Sequence, residues 1–258
     1  MLNGDLRRQI VNMVVTGNNG HIPSAFSIVD IITHLYDQVL KVDYKKPNWE
    51  ERDIFILSKG HGCLALYVNL YRHGFITDED VKNFCHKGGI LGEHPDFTKV
   101  PGVEASTGSL GHGFSYAVGI ALGKRIRGNN NRVFVLIGDG ESHEGTVWEA
   151  AHVARNYELG NLCLVVDWNQ SGMQLLPHDD LPAKWKAFGW NTIVIDGHSE
   201  DELKQTFDNI CFESKGIPTV IVAKTIKGKG VPFMEGHGMW HHRIPNAEEH
   251  AKILEALK

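Results

Sequence analysis

Apolar positions recur at helical spacing over residues 5–16 and 24–41, with Ser24 or Ser27 placed to cap the second stretch. The pattern then shortens. Asp53-Ile54-Phe55-Ile56-Leu57 reads as a strand running into the glycine turn Ser58-Lys59-Gly60-His61-Gly62, and helical spacing resumes to about Arg72. Strand, glycine turn and helix in that order form a ligand-binding geometry. Thr77 opens a short helix over 78–85, and the glycine-rich stretch 86–113 is long for a structureless connection, which suggests a functional loop. From Leu110 to Arg127 a helix rich in Gly and Ala is expected, and 132–137 is a continuous apolar run of the kind buried on both faces of a sheet. Helices over 145–159, 180–188 and 200–213 then alternate with strands over 161–167, 191–196 and 218–225. A Gly- and His-rich loop over 232–245 leads to a last helix, 246–258, with Asn246 as its cap. Such alternation indicates βαβ units: an α/β fold with a mostly parallel central sheet and helices on both faces, read as one domain over 1–258.

Composition narrows the function classes. With 258 residues, 42% of them hydrophobic, the chain can bury a sizeable core, and no apolar run approaches the roughly 18 to 20 residues of a membrane span. The amphipathic N-terminus lacks a signal peptide's apolar core, so residence in the cytoplasm is expected. A net charge of -5 argues against a nucleic-acid surface. Cys63, Cys85, Cys163 and Cys211 lack CxxC spacing, so neither a disulfide framework nor a zinc ribbon is suggested, and Cys163 reads as a small buried hydrophobe. Histidine is the outlier, with 15 residues, several beside glycines.

The segment from Ile137 to Ser171 carries the chemistry. Gly138-Asp139-Gly140 follows one strand and Asn169 the next, so two oxygen ligands fall at the ends of neighbouring parallel strands, where open α/β sheets bind ligands. Magnesium takes six oxygens, commonly one or two protein side chains plus phosphate oxygens. Asp139, the Asn169 carbonyl and the Ser171 backbone carbonyl, with two diphosphate oxygens and a water, would fill that shell, while amides around Gly140 meet the diphosphate. The alternative is that Asp139 caps the following helix and Asn169 closes a turn.

Gly-Asp-Gly followed after about thirty residues by Asn resembles the signature of thiamine-diphosphate enzymes, and further segments resemble the transketolase family in order. These are Gly20-His21-Ile22-Pro23-Ser24, Ile56 to Gly62, Gly92-Glu93-His94-Pro95, Pro101-Gly102-Val103-Glu104, Thr107 to Gly113 and Lys224 to Gly230. The resemblance covers nearly the whole chain. It implies that His21, His61, His94 and His241 line the active-site channel, contacting substrate hydroxyls, the diphosphate or a moving proton, tasks that suit imidazole. It implies a cofactor-binding set of His61, Gly108, Leu110, Gly138, Asp139, Gly140, Glu144, Asn169 and His241, with thiamine diphosphate and magnesium, or calcium in its place. Gly108 and Leu110 correspond to the loop that meets the pyrimidine ring and diphosphate, and Glu144 to a glutamate near the subunit interface. Trp148 reads as packing, and His112 stands where many full-length transketolases have Gln. The chain departs from the pattern at Ile22-Pro23-Ser24, where glycine after His-Pro is missing, and at His241-His242, where relatives have His-Gly; His241 rather than His237 is the aligned residue.

In this family the aminopyrimidine is primed by a glutamate in a second, pyrimidine-binding domain, of which no counterpart remains here. The resemblance therefore implies the N-terminal subunit of a split transketolase, with a C-terminal partner subunit carrying that domain in an α2β2 assembly, acting on sugars or sugar phosphates. Two alternatives stand beside it: a synthase subunit that decarboxylates a 2-oxo acid such as pyruvate, and a non-catalytic cofactor-binding subunit.

Overall fold

The computed structural model describes residues 3–129, 131–174, 176–177, 180–236 and 238–258, so His237 lies outside the described residues. Five strands, β1 (Ile54–Leu57), β2 (Val133–Gly138), β3 (Leu162–Trp168), β4 (Asn191–Asp196) and β5 (Thr219–Lys224), form one sheet in the order β1-β2-β3-β5-β4. Every pairing is parallel, and the register sets Gly138 opposite Asp167 and Asp167 opposite Ala223.

The helices are α1 (Gly4–Gly17), α2 (Ile22–Phe26), α3 (Val29–His34), α4 (Cys63–Arg72), α5 (Asp78–Lys82), α6 (His112–Ile126), α7 (Gly145–Asn156), α8 (Leu181–Ala187), α9 (Glu200–Asn209) and α10 (Ala247–Ala256). The two-residue period of the strands divides them between two cores. Phe134 and Leu136 of β2 enter one core with residues of α1 to α5, α9 and α10. Val133, Val135 and Ile137 enter the other with α6, α7 and α8. Helices thus cover both faces, as expected, and Cys163 is fully buried in β3. All four cysteines are free. No helix among the described residues is long and apolar enough to cross a membrane.

Local signals explain most boundaries. Thr77 and Asp80 form a reciprocal capping box on α5, and Asn246 and Glu249 form another on α10. The expected helix over 24–41 is instead broken into α2, α3 and a π-turn over Leu35–Val39, and neither Ser24 nor Ser27 caps it. Ser24 lies inside α2, and the Ser27 hydroxyl, 2.8 Å from Asp167 Oδ2, is drawn into a buried polar cluster. Helix α6 starts at His112, two residues late, because Gly111 adopts the left-handed conformation. Helix α7 ends early, with Glu158 at φ 50°, and α9 ends at Asn209. Residues 83–111 contain neither helix nor strand.

The chain leaving β1 and β5 packs into the first core, and the chain leaving β2 and β3 packs into the second. The C-terminal strand ends therefore open a crevice between diverging segments.

Candidate active site

Asp139 is the first residue past β2 and Asn169 the first past β3. The Asp139 carboxylate accepts from the Gly140 amide at 2.8 Å and the Gly172 amide at 3.4 Å. Asn169 donates from Nδ2 to Asp167 Oδ2 at 2.8 Å, which orients its amide so that Oδ1 accepts from the Ser171 amide at 3.0 Å. Asn169 thus closes a turn, as the sequence alternative had it, whereas Asp139 caps the short 3-10 turn Gly140–His143 and not the following helix α7, whose N-cap position is Glu144; the two loops meet. A Cβ on Gly172 would lie 2.8 Å from Gly140 Cα, so only glycine permits the approach. Together the loops and strand ends line a cavity of about 640 Å³ that includes Gly138, Asp139, Gly140, Asn169 and Ser171.

Asp139 is 1% exposed, and burial, followed by the charge of Asp167, pushes its carboxyl up to about 6. Its anionic form is thus costly in this setting, a cost that a bound cation removes. Lys227, which lines the same cavity, is itself buried; burial and then the charge of Lys59 hold its ammonium below the usual lysine range. A carboxylate, amide and carbonyl oxygens, main-chain N–H groups and a buried lysine make a donor set that fits a divalent cation bound with a diphosphate.

Two buried carboxylates, one of them lining the cavity, hold the loops together. Asp167, fully buried, takes Lys59 Nζ at 2.5 Å and hydrogen bonds from Ser27, Asn169 and Thr225. Glu141, 2% exposed, accepts from the Gly111 amide at 2.8 Å, the Gly138 amide at 3.1 Å and the Ser58 hydroxyl. It thereby joins the turn after β1, the turn after β2 and the start of α6. Burial shifts its carboxyl upward, against those three donors.

Three of the four expected histidines meet. The His21 ring centroid lies 5.4 Å from those of both His61 and His241, which are 6.2 Å from each other. Burial, with smaller contributions from neighbouring positive groups, lowers His21 to about 3 and His61 to about 2, and burial followed by Lys227 lowers His241. The three are neutral near pH 7, and Lys227 donates to His241 Nδ1 at 2.8 Å. His94 joins through Gly108, where a Cβ would fall 3.0 Å from the His94 ring. Leu110, Glu144, His61 and His241 also line the cavity. Trp148 packs on Trp185 and Phe188, and exposed His112 donates to the Leu110 carbonyl. Sequence reasoning assigned no role to Lys59, Glu141, Asp167 or Lys227. Their signal was polar residues inside apolar or glycine-rich motifs, which shows only once the fold buries them.

A profile of the family described as transketolase, thiamine diphosphate binding domain, matches residues 3–257. The chain belongs to the transketolase family. It is 37% identical to a protein of Phocaeicola vulgatus named as an apulose-4-phosphate transketolase subunit, over 97% of this chain and 90% of that protein. It is 39% identical to 6-deoxy-6-sulfo-D-fructose transketolase subunit SqwG of Clostridium sp. (strain MSTE9), over 92% of this chain and 87% of that one. Transketolase from Leishmania mexicana superposes with a TM-score of 0.91 at 28% identity; the match covers 98% of this chain and 40% of the solved one. The transketolase match bears out the parallel-sheet fold read from the strand pattern.

Proposed function

We propose that the chain is the diphosphate-binding subunit of a two-chain transketolase, one domain over residues 1–258 that works with a separate C-terminal subunit carrying the pyrimidine-binding domain, in an α2β2 assembly. The observation that carries this reading is the match to proteins named as transketolase subunits over 90% and 93% of their own lengths.

Asp139, the Asn169 side-chain oxygen and the Ser171 carbonyl would hold magnesium, or calcium in its place, and Lys227, His61, His241 and the amides around Gly140 would face the diphosphate. Gly108 and Leu110 would face the cofactor's ring system, Gly138 would let the main chain approach it, and Glu144 would stand near the subunit boundary. When bound, thiamine diphosphate would supply the carbanion chemistry by which a two-carbon unit moves from a ketose to an aldose. His21, His61, His94 and His241 orient the sugar hydroxyls and hold or pass the proton of the attacked carbonyl, work typically worth about 10²- to 10⁴-fold for one placed group. Neutral imidazoles suit it, since each offers both a donor and an acceptor. The low pKa of His21 and His61 supports that protonation state.

The test is reconstitution. Purified alone, the chain should show no ketol transfer; mixed with a subunit bearing a pyrimidine-binding domain, thiamine diphosphate and magnesium, it should transfer a two-carbon unit from a ketose or ketose phosphate. Full transfer by the lone chain would end the two-subunit reading. Carbon dioxide release from pyruvate by the pair, without ketol transfer, would place the assembly among decarboxylating synthases instead.

A further inference from the structure

At the edge of the histidine cluster, His21 meets two residues that the proposed chemistry does not use, Glu93 and His242. His21 Nδ1, Glu93 Oε1 and His242 Nε2 come from three segments remote in sequence, yet one ligand atom from each residue lies within 4.8 Å of the others. Glu93 Oε1 is 3.2 Å from His242 Nε2 and 3.6 Å from His21 Nδ1, near the ligand-to-ligand spacing of a tetrahedral zinc site with bonds of about 2.0–2.1 Å. The two rings are 4.5 Å apart between centroids. His21 Nδ1 is buried and has no hydrogen-bond partner among the described residues. Asn19 orients the carboxylate: its amide nitrogen donates to Glu93 Oε2 at 3.3 Å, leaving Oε1 toward the imidazoles, while its oxygen lies 3.1 Å from His242 Nε2, a contact that a metal on Nε2 replaces. His242 stands where the family resemblance expects glycine, so one ligand is this chain's own departure.

We infer that His21, Glu93 and His242 form a binding site for a divalent transition-metal ion of the zinc class, separate from the oxygen-rich site at Asp139 and Asn169. Two imidazoles and a carboxylate are the ligand set of such ions, whereas magnesium prefers an all-oxygen shell. Three protein ligands leave a fourth position for water or a substrate oxygen. Binding takes the His242 tautomer that carries its proton on Nδ1, leaving the Nε2 lone pair for the metal, and clips the 83–111 loop and the loop after β5 to the segment before α2. All three ligands belong to this chain, so the site depends neither on a partner chain nor on the ketol-transfer reading.

The experiment is a titration of the chelator-treated full chain with Co²⁺ in excess Mg²⁺, followed by visible absorption and then by displacement with Zn²⁺. One Co²⁺ per chain is expected, with the absorption of a four-coordinate nitrogen and oxygen site and loss of the signal on adding Zn²⁺. Glu93→Gln and His242→Ala should weaken binding by about 10- to 100-fold or more, since even supporting residues around metal sites carry that much. Half-exposed His242 can be truncated without disturbing the core, and circular dichroism checks that the fold is kept. Asp139→Asn should leave the cobalt signal unchanged. Absence of a tight Co²⁺ site, or a signal lost in Asp139→Asn and kept in His242→Ala, overturns the inference.

Discussion

At Asp139 a carboxylate sits 1% exposed beside a second, fully buried carboxylate, and its pKa rises from 3.8 to about 6. The folded chain therefore binds a proton there more tightly than the unfolded chain. Between those two values it holds more protons, so the stability of the cation-free protein falls as pH rises through that window, and the full penalty applies above it. Asp139→Asn removes the penalty: at pH 7 the cation-free variant should be more stable by about 1–3 kcal/mol, from about two pKa units at 1.36 kcal/mol each. Urea denaturation reads that gain, and calorimetry should show magnesium and thiamine diphosphate binding lost in the same variant. In the wild-type chain, cation affinity should climb as pH passes about 6, where the competing proton leaves. Because His21 and His61 titrate far below neutrality, the acid limb of any activity profile should follow Asp139 rather than an ordinary imidazole. Gly172→Ala is the steric counterpart. A Cβ 2.8 Å from Gly140 Cα forces the two loops apart, so cofactor affinity should drop by about 10-fold or more, an overpacking cost of roughly 1–3 kcal/mol, with the far-ultraviolet circular dichroism unchanged.

Among the elements, the sheet was legible and its support was not. Strand positions follow from apolar runs bounded by turns: β1, β2, β3 and β5 fall within one or two residues of expectation because burial on both faces leaves little freedom of composition, and β4, the half-exposed edge strand, shows by its β-branched run between turns. The break between α2 and α3 was hidden, since apolar spacing continues through it while Ser27 answers a carboxylate 140 positions away. Asp139 and Asn169 could be found from spacing along one βαβ unit. Glu141, whose partner Ser58 is 83 positions away, could not, and neither could the meeting of Glu93 with His242. The buried Lys59–Asp167 pair belongs to this scale, because it joins β1's turn to β3 at the cavity. Lys59→Met leaves Asp167 charged and without its counterion, and should destabilise the chain by about 3–5 kcal/mol in chemical denaturation. The doubly substituted Lys59→Met, Asp167→Leu chain should recover part of that loss, while Asn169 loses its anchor and cofactor binding stays weak.

For the molecule as a whole, the two cores divide the labour around the crevice. The core containing α1 to α5 carries His21 just before α2, and His61, His94, His241 and Lys227 on the segments that follow β1 and β5, while the core containing α6 to α8 carries Asp139, Asn169 and Glu144 on those that follow β2 and β3. A cofactor held between them touches both layers, so its binding should raise the unfolding temperature in a concentration-dependent way, by RT ln(1 + [L]/Kd) of added stability. A thermal scan of the lone chain against thiamine diphosphate with magnesium measures this. A flat response alone, against a rising one with the partner chain present, would mean that the second chain completes the binding site as well as the chemistry.

The alternation along Val133–Gly138 also limits how such a chain can drift. Adding or deleting one residue within β2 would exchange Phe134 and Leu136 with Val133 and Val135 between the layers and turn Asp139 out of the crevice. Length changes are instead tolerable in 83–111 and in the stretch after β5, where no ladder counts residues. Heritable variation in sugar preference should therefore accumulate as insertions and deletions in those two loops, while the spacing from Asp139 to Asn169 stays fixed.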